Sequence, residues 1–185
     1  MINIIVVDDH EVIRRGLELI FQQTPDITLA GSTDDLETTI QLLHENHQTD
    51  VLLLDLEMPK ANGLTVLRKV KEEFPGIRVL IYSMHPDEIY AINCLKSGAM
   101  GYVNKSTSIE VLLGAIRKVA GGDIYLSEKL SERMAYQKRS GLAAAQRHTE
   151  NRIVCNMAGN SGGTVDKLIE AVEKAAAASE GNAVF

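Results

Sequence analysis

The stretch Val51-Leu52-Leu53-Leu54-Asp55-Leu56-Glu57-Met58-Pro59 decides how the rest of the chain is read. Four apolar residues of β-forming character end abruptly in a carboxylate, and a proline follows. That pattern predicts a buried parallel strand that delivers Asp55 to its C-terminal edge. In an open α/β sheet that edge is where ligands bind. A lone Asp after a strand also serves as a helix cap, so Asp55 takes its meaning from the company it keeps. Ile4-Ile5-Val6-Val7 ends in Asp8 and Asp9, Val79-Leu80-Ile81-Tyr82 ends in Ser83, and Tyr102-Val103 comes shortly before Lys105.

Working outward from Asp55, the first 120 residues alternate strand and helix five times. Strands are predicted at Asn3–Val7, Ile27–Ala30, up to Asp55, Val79–Tyr82 and Gly101–Val103. The first helix, Glu11 to Gln22, carries Val12, Ile13, Leu17, Ile20 and Phe21 as an apolar stripe. The second starts near Ser32 and turns Leu36, Ile40 and Leu43 inward, and the third buries Leu64, Val66, Leu67, Val70 and Phe74 before Pro75-Gly76 stops it. Pro86 suits the first turn of the fourth helix, and Ser97-Gly98 its stop. The fifth, Ser108 to Ala120, ends at Gly121-Gly122. Short connections in a regular βα alternation predict a doubly wound parallel sheet of flavodoxin-like order 2-1-3-4-5, with strands one and three side by side.

Asp8, Asp9 and Asp55 then converge. Three neighbouring carboxylates repel one another, and the cluster makes physical sense when a cation sits among them. Oxygen ligands with one carbonyl and open water positions favour Mg²⁺ over zinc or copper.

Composition sets the outer limits. With 185 residues, 45% of them hydrophobic, the chain can bury one core of roughly 120 to 150 residues and carry an appendage. A net charge of −6 gives the whole molecule no footprint for nucleic acid or an anionic membrane. The two cysteines, Cys94 and Cys155, lack CxxC spacing, so free thiols in a reducing cytoplasm are expected. The N-terminus lacks a basic signal-like region, and no apolar stretch approaches the ~20 residues that span a bilayer. A cytoplasmic protein without membrane contact is expected.

Taken together, Asp8-Asp9, Asp55 in LLLDLEMP, Ser83 and Lys105 in GYVNK make residues 1 to about 120 resemble the receiver domain of two-component response regulators, a CheY-like fold. SMHPDE, AMGYVNKS and AGGDIYLSEKL resemble its NarL/FixJ (LuxR-type) subfamily in particular. The resemblance implies that Asp55 accepts a phosphoryl group from the phosphohistidine of a sensor histidine kinase. It implies Mg²⁺ held directly by Asp9 and Asp55, by Asp8 mostly through water, and by the backbone carbonyl of Glu57. Lys105 and Ser83 would then pair with phosphoryl oxygens, since such transfer is mostly positioning plus counter-charge. Ser83 and Tyr102 are the implied switch, remodelling helix four, strand five and helix five. Glu57 and His85 occupy positions that tune the lifetime of the phosphorylated state, and Met84 narrows access where many receivers have a small residue. Ser106 replaces a proline common after the lysine, so the cis-proline loop is unavailable. The chain would catalyse only its own phosphorylation and dephosphorylation and pair with a second copy on phosphorylation, through helix four, strand five and helix five or through helices one and five.

This organisation places a receiver at 1–122, a linker helix and linker at 123–141, and a short divergent helical output segment at 142–185. Ser127 caps a predicted helix to Tyr136, and Thr164–Ser179 reads as an amphipathic helix. The family's usual continuation is a four-helix DNA-binding module of roughly 60 residues, whereas 44 follow Gly141. Beyond Asn151, Arg152, Lys167 and Lys174 face Asp166, Glu170, Glu173 and Glu180, a poor balance for reading DNA. Lys138, Arg139, Arg147 and Arg152 keep DNA contact, and a complete transcription factor with a degenerate helix-turn-helix, open as alternatives. A haloacid-dehalogenase-like phosphohydrolase also combines Asp, Mg²⁺, Ser/Thr and Lys. Its nucleophile, however, sits on the first strand with a second Asp two residues on, a pattern absent here.

Overall fold

In the computed structural model of the protein the described residues are 1–59, 62–85 and 87–132, with 87–89 described for their backbone only. Packing divides the chain into two units, Met1–Tyr125 and Leu126–Phe185. The first unit runs β1 (Ile2–Val7), α1 (Glu11–Gln22), β2 (Ile27–Thr33), α2 (Leu36–Glu45), β3 (Val51–Leu54), α3 (Gly63–Glu73), β4 (Arg78–Ser83), α4 (Asp87–Lys96), β5 (Gly101–Asn104) and α5 (Ile109–Ala120). The five strands form one parallel sheet in the order β2-β1-β3-β4-β5, as the βα alternation predicts.

Every residue of β3 is buried, which is why it reads as an unbroken apolar run rather than an alternating one. Ile4, Val6, Val51, Leu53, Leu80 and Val103 turn to one face, where Leu17 and Phe21 of α1 and Leu112, Ile116 and Val119 of α5 cover them. Their strand neighbours Ile5, Leu52, Leu54 and Ile81 point the opposite way and are also fully buried. Right-handed crossovers put α1 on one side and α2, α3 and α4 on the other as the chain reverses direction across the sheet after β2. Each of these wholly buried aliphatic side chains contributes about 1.5–3 kcal/mol of transfer free energy. Cys94 belongs to this interior, and burial pushes its thiol up to about 11.

Four local expectations need correction. Strand β2 continues to Thr33, past Ala30, because a register shift opposite Ile4/Ile5 lets Gly31, Ser32 and Thr33 keep pairing with β1. Helix α2 therefore starts at Leu36 rather than near Ser32, with Asp35 as its N-cap; the Asp35 carboxylate accepts from the Thr38 N–H at 2.8 Å. Thr39 and Leu43 are the buried residues of α2, with Leu36 and Ile40 only half-buried. On α1, Val12 is 84% exposed, since the helix buries the face centred on Leu17 and Phe21 and Val12 lies outside it.

Gly98 adopts φ 97° just after α4, and Gly122 adopts φ 92° just after α5, so both helix ends use the left-handed conformation glycine tolerates. The proposed helix start at Pro86 lies outside the described residues, as do the linker beyond 132 and the whole 142–185 segment. Residues 128–132 are helical, and the Ser127 hydroxyl accepts from the Leu130 N–H at 3.3 Å.

Candidate functional site

The sheet places its chemistry by extending three ladders one residue past the strands. Asp8 N–H donates to Thr33 O at 3.0 Å, Asp55 N–H to Val7 O at 2.8 Å, and Lys105 N–H to Ser83 O at 2.9 Å. Since Val7 pairs with Leu54, Asp8 and Asp55 emerge side by side from β1 and β3. The α1 N-terminus is fixed there too, because the His10 N–H donates to Asp8 Oδ1 at 2.9 Å and the Arg14 guanidinium to the Asp8 carbonyl.

Lys105 closes the group from the other side. Its ammonium lies 2.6 Å from Asp8 Oδ2 and 2.8 Å from Asp55 Oδ2, with the three side chains only 3%, 2% and 1% exposed. Burial pushes the Asp55 carboxyl above the usual range, against the opposing pull of Lys105. Burial opposes the Lys105 charge too, but its bonds to Asp55 and Asp8 outweigh that and hold the ammonium above its ordinary value.

The residues fit a bound cation. Asp8, Asp9, His10 and Asp55 each offer one ligand atom, all within 4.8 Å of one another. Asp9 Oδ1 is buried and makes no hydrogen bond of acceptable geometry, although His10 Nδ1 lies 3.0 Å away. Three carboxylates outnumber the Lys105 ammonium that pairs with two of them, a surplus of negative charge that a divalent ion would offset.

The remaining sequence-nominated residues sit at the rim. Glu57 donates its N–H to Asp55 Oδ1 at 3.2 Å, while its carboxylate meets His85 Nε2 at 2.9 Å. The fully buried Ser83 hydroxyl accepts from the His85 N–H at 3.3 Å. Tyr102 is wholly buried, and its hydroxyl donates to the His85 carbonyl at 3.1 Å, where the Asn104 amide also donates at 2.8 Å. His85 stacks on Tyr90 with ring centroids 4.1 Å apart, and the Met84 side chain is 60% exposed. The loops after β3 and β4 and the end of β5 thus meet at one residue, His85.

Sequence reasoning passed over His10, Asn104 and Gly63. A histidine directly after an acid pair is a metal-ligand signal that was legible. Asn104 was hidden as an ordinary strand-end residue. Gly63 opens α3 where an added Cβ would stand 2.3 Å from Asp55 O and 2.5 Å from Leu56 Cα, a contact no local pattern announces.

Residues 4–117 match the response regulator receiver domain. The chain belongs to that family. It is 36% identical over 145 residues to the nitrate/nitrite response regulator protein NarL of Escherichia coli, covering 78% of this chain and 67% of that one. It is 33% identical over 138 residues to the transcriptional regulatory protein DegU of Brevibacillus brevis, covering 75% of this chain but only 58% of the relative's length. Among solved structures, a LuxR-family two-component response regulator from Aurantimonas superposes with a TM-score of 0.67 at 26% identity, over 74% of this chain and 96% of that chain. The receiver fold and the NarL-type kinship inferred from the motifs therefore stand. Among the described residues no helix is long and apolar enough to cross a membrane.

Proposed function

We propose that this receiver is the phospho-accepting switch of a two-component relay, with Asp55 as acceptor, a sensor histidine kinase as donor and transcription as the controlled output. The observation that carries the reading is the clamp of one buried ammonium, Lys105, between the carboxylates of Asp8 and Asp55 at the C-terminal sheet edge. The names of the NarL and DegU relatives support a transcriptional output.

In the transfer, an Asp55 carboxylate oxygen forms an O–P bond while the N–P bond of the donor phosphohistidine breaks and its electron pair returns to the imidazole. Mg²⁺ supplies counter-charge to the phosphoryl oxygens when bound. Asp8, Asp9, Asp55 and the Glu57 carbonyl are the residues that would hold it. Lys105 already lies against the acceptor oxygen, so its charge is in place before the phosphoryl group arrives and needs only to exchange one partner. Ser83 releases the His85 N–H to bond a phosphoryl oxygen, and this shift reaches Tyr102 through His85, whose N–H bonds Ser83 and whose carbonyl bonds Tyr102. The Glu57–His85 pair covers the rim and sets how readily water reaches the acyl phosphate, with Met84 beside it. The altered α4, β5 and α5 surface, or that of α1 and α5, pairs two copies in a reducing cytoplasm.

Intact-mass measurement after incubation with acetyl phosphate or a kinase and Mg²⁺ should show one added phosphoryl group on the wild type and none on Asp55→Asn. Unchanged labelling of the variant would sink the assignment. Light scattering with and without beryllofluoride tests the pairing.

A further inference from the structure

We infer that His10 supplies a nitrogen ligand to the divalent ion, so that this site takes borderline ions such as Co²⁺ with a preference that carboxylates alone would not give. The inference rests on the divalent-ion reading of the acidic cluster and adds a ligand to it.

The helix makes no use of the ring. His10 is the N-cap of α1, with extended backbone at φ −82° and ψ 102°, yet its side chain makes no capping hydrogen bond. What fixes the residue is its own N–H on Asp8 Oδ1, which anchors the backbone beside the acids and turns the imidazole over them. Nδ1 then lies 3.1 Å from Asp8 Oδ1, 3.0 Å from Asp9 Oδ1 and 4.0 Å from Asp55 Oδ2.

The Asp8 separation is a hydrogen bond as it stands, and all three are also short enough for one ion to be shared between the ring and the acids. In an octahedral site with bonds of about 2.1 Å, adjacent ligand atoms stand about 3.0 Å apart and opposite ones about 4.2 Å. Nδ1 therefore stands among the same carboxylate oxygens that would hold the ion, within 4.8 Å of every one of them. The Asp9 oxygen that lacks a hydrogen bond is the one nearest the ring. A ring 56% exposed can also adjust its tilt without disturbing the core.

Ligand chemistry gives the consequence. Imidazole nitrogen adds little for Mg²⁺, a hard ion that holds oxygen and water, but it strengthens binding of later first-row ions. His10 raises affinity for Co²⁺ selectively, and a rival arrangement is an imidazolium that merely neutralises the acids and must leave before any ion enters.

Calorimetric titration of the full chain and of His10→Ala with MgCl2 and with CoCl2 separates the two. The inference expects the Co²⁺ dissociation constant to rise about tenfold or more in the variant while that for Mg²⁺ moves by less than about twofold. Pulsed electron paramagnetic resonance of Mn²⁺ bound to the wild type should show a directly coordinated nitrogen that disappears in His10→Ala. An unchanged or tighter Co²⁺ affinity, equal losses for both ions, or a nitrogen signal that survives the substitution overturns the ligand role alone, because Mg²⁺ binding would still be seen. A wild type that binds no divalent ion overturns both this inference and the site reading beneath it.

Discussion

Replacing Lys105 with Met keeps the length of the stem and removes the charge that two buried carboxylates share. The side chain makes two charge-assisted hydrogen bonds, at 2.6 and 2.8 Å, to groups almost shut off from water. At about 1.5–3 kcal/mol each, their loss sums to about 3–6 kcal/mol, in line with the roughly 3–5 kcal/mol typical of breaking a buried pair. The upper end is not reached, because Asp55 has an escape. Burial already pushes its carboxyl up, and without Lys105 it rises further and takes up a proton in the folded state. A folded-state carboxyl raised above its unfolded value binds more protons folded than unfolded, so stability falls as pH rises between the two. The cost of Lys105→Met should therefore be about 3 kcal/mol or more at pH 7.5 and shrink toward pH 5.5. A divalent ion bound by the uncompensated acids offsets part of it. Urea unfolding of both proteins at the two pH values, with chelator and with MgCl2, measures all of this. A loss under about 1 kcal/mol at pH 7.5 in chelator, or one that grows toward acid pH, refutes the clamp as an energetic element.

Gly63→Ala should lower stability by about 3 kcal/mol or more and disturb acceptor labelling, since the new Cβ meets the Asp55 and Leu56 backbone rather than a movable side chain; unfolding and intact mass report both. Asp35→Ala should cost about 1 kcal/mol through the lost α2 cap, while Ser32→Ala should be silent, a contrast that urea melts resolve. Arg117 forks onto Asp26 at 2.7 and 2.9 Å and holds that carboxyl down at about 2, so in Arg117→Ala a carboxyl-carbon NMR titration should find Asp26 back in the ordinary carboxylate range. Leu53→Ala, at a position 1% exposed in the middle of the sheet, should cost about 2–5 kcal/mol by the same unfolding assay.

The sheet was legible because its signal is redundant. Val51–Leu54 is buried on both faces, so its apolar run survives any error in placing its ends, and four more runs with the same βα spacing constrain the order. The edges of elements were legible only where one local rule decided them. Gly122 after α5 is such a place, since little but glycine takes its φ of 92°. At α2 two rules competed. Ser32 is a good cap by type, but Gly31–Thr33 still had a partner strand in β1, and pairing won. Val12 failed for a related reason: helical periodicity names an apolar face, while tertiary packing decides how much of it is covered.

For the site, the same division runs between groups placed by the ladder and groups placed by loops. Asp8, Asp55 and Lys105 each stand one residue past a strand, and one more ladder bond from the neighbouring strand sets each backbone, so counting residues along the sequence finds them. His85 is different. Its ring meets Glu57 across the gap between two loops, and its carbonyl gathers Tyr102 and Asn104 from a third segment. No spacing rule in one dimension encodes a meeting of two loops with the end of β5, because each loop's path depends on where the sheet has put its ends. The sequence can therefore name the residues at the strand ends more readily than the loop contacts that surround them. Glu57 and His85 are two separate positions in the sequence, and it takes the fold to make them a single contact at 2.9 Å, so on the function proposed above loss of either side chain should change the phosphorylated lifetime by the same factor as loss of both.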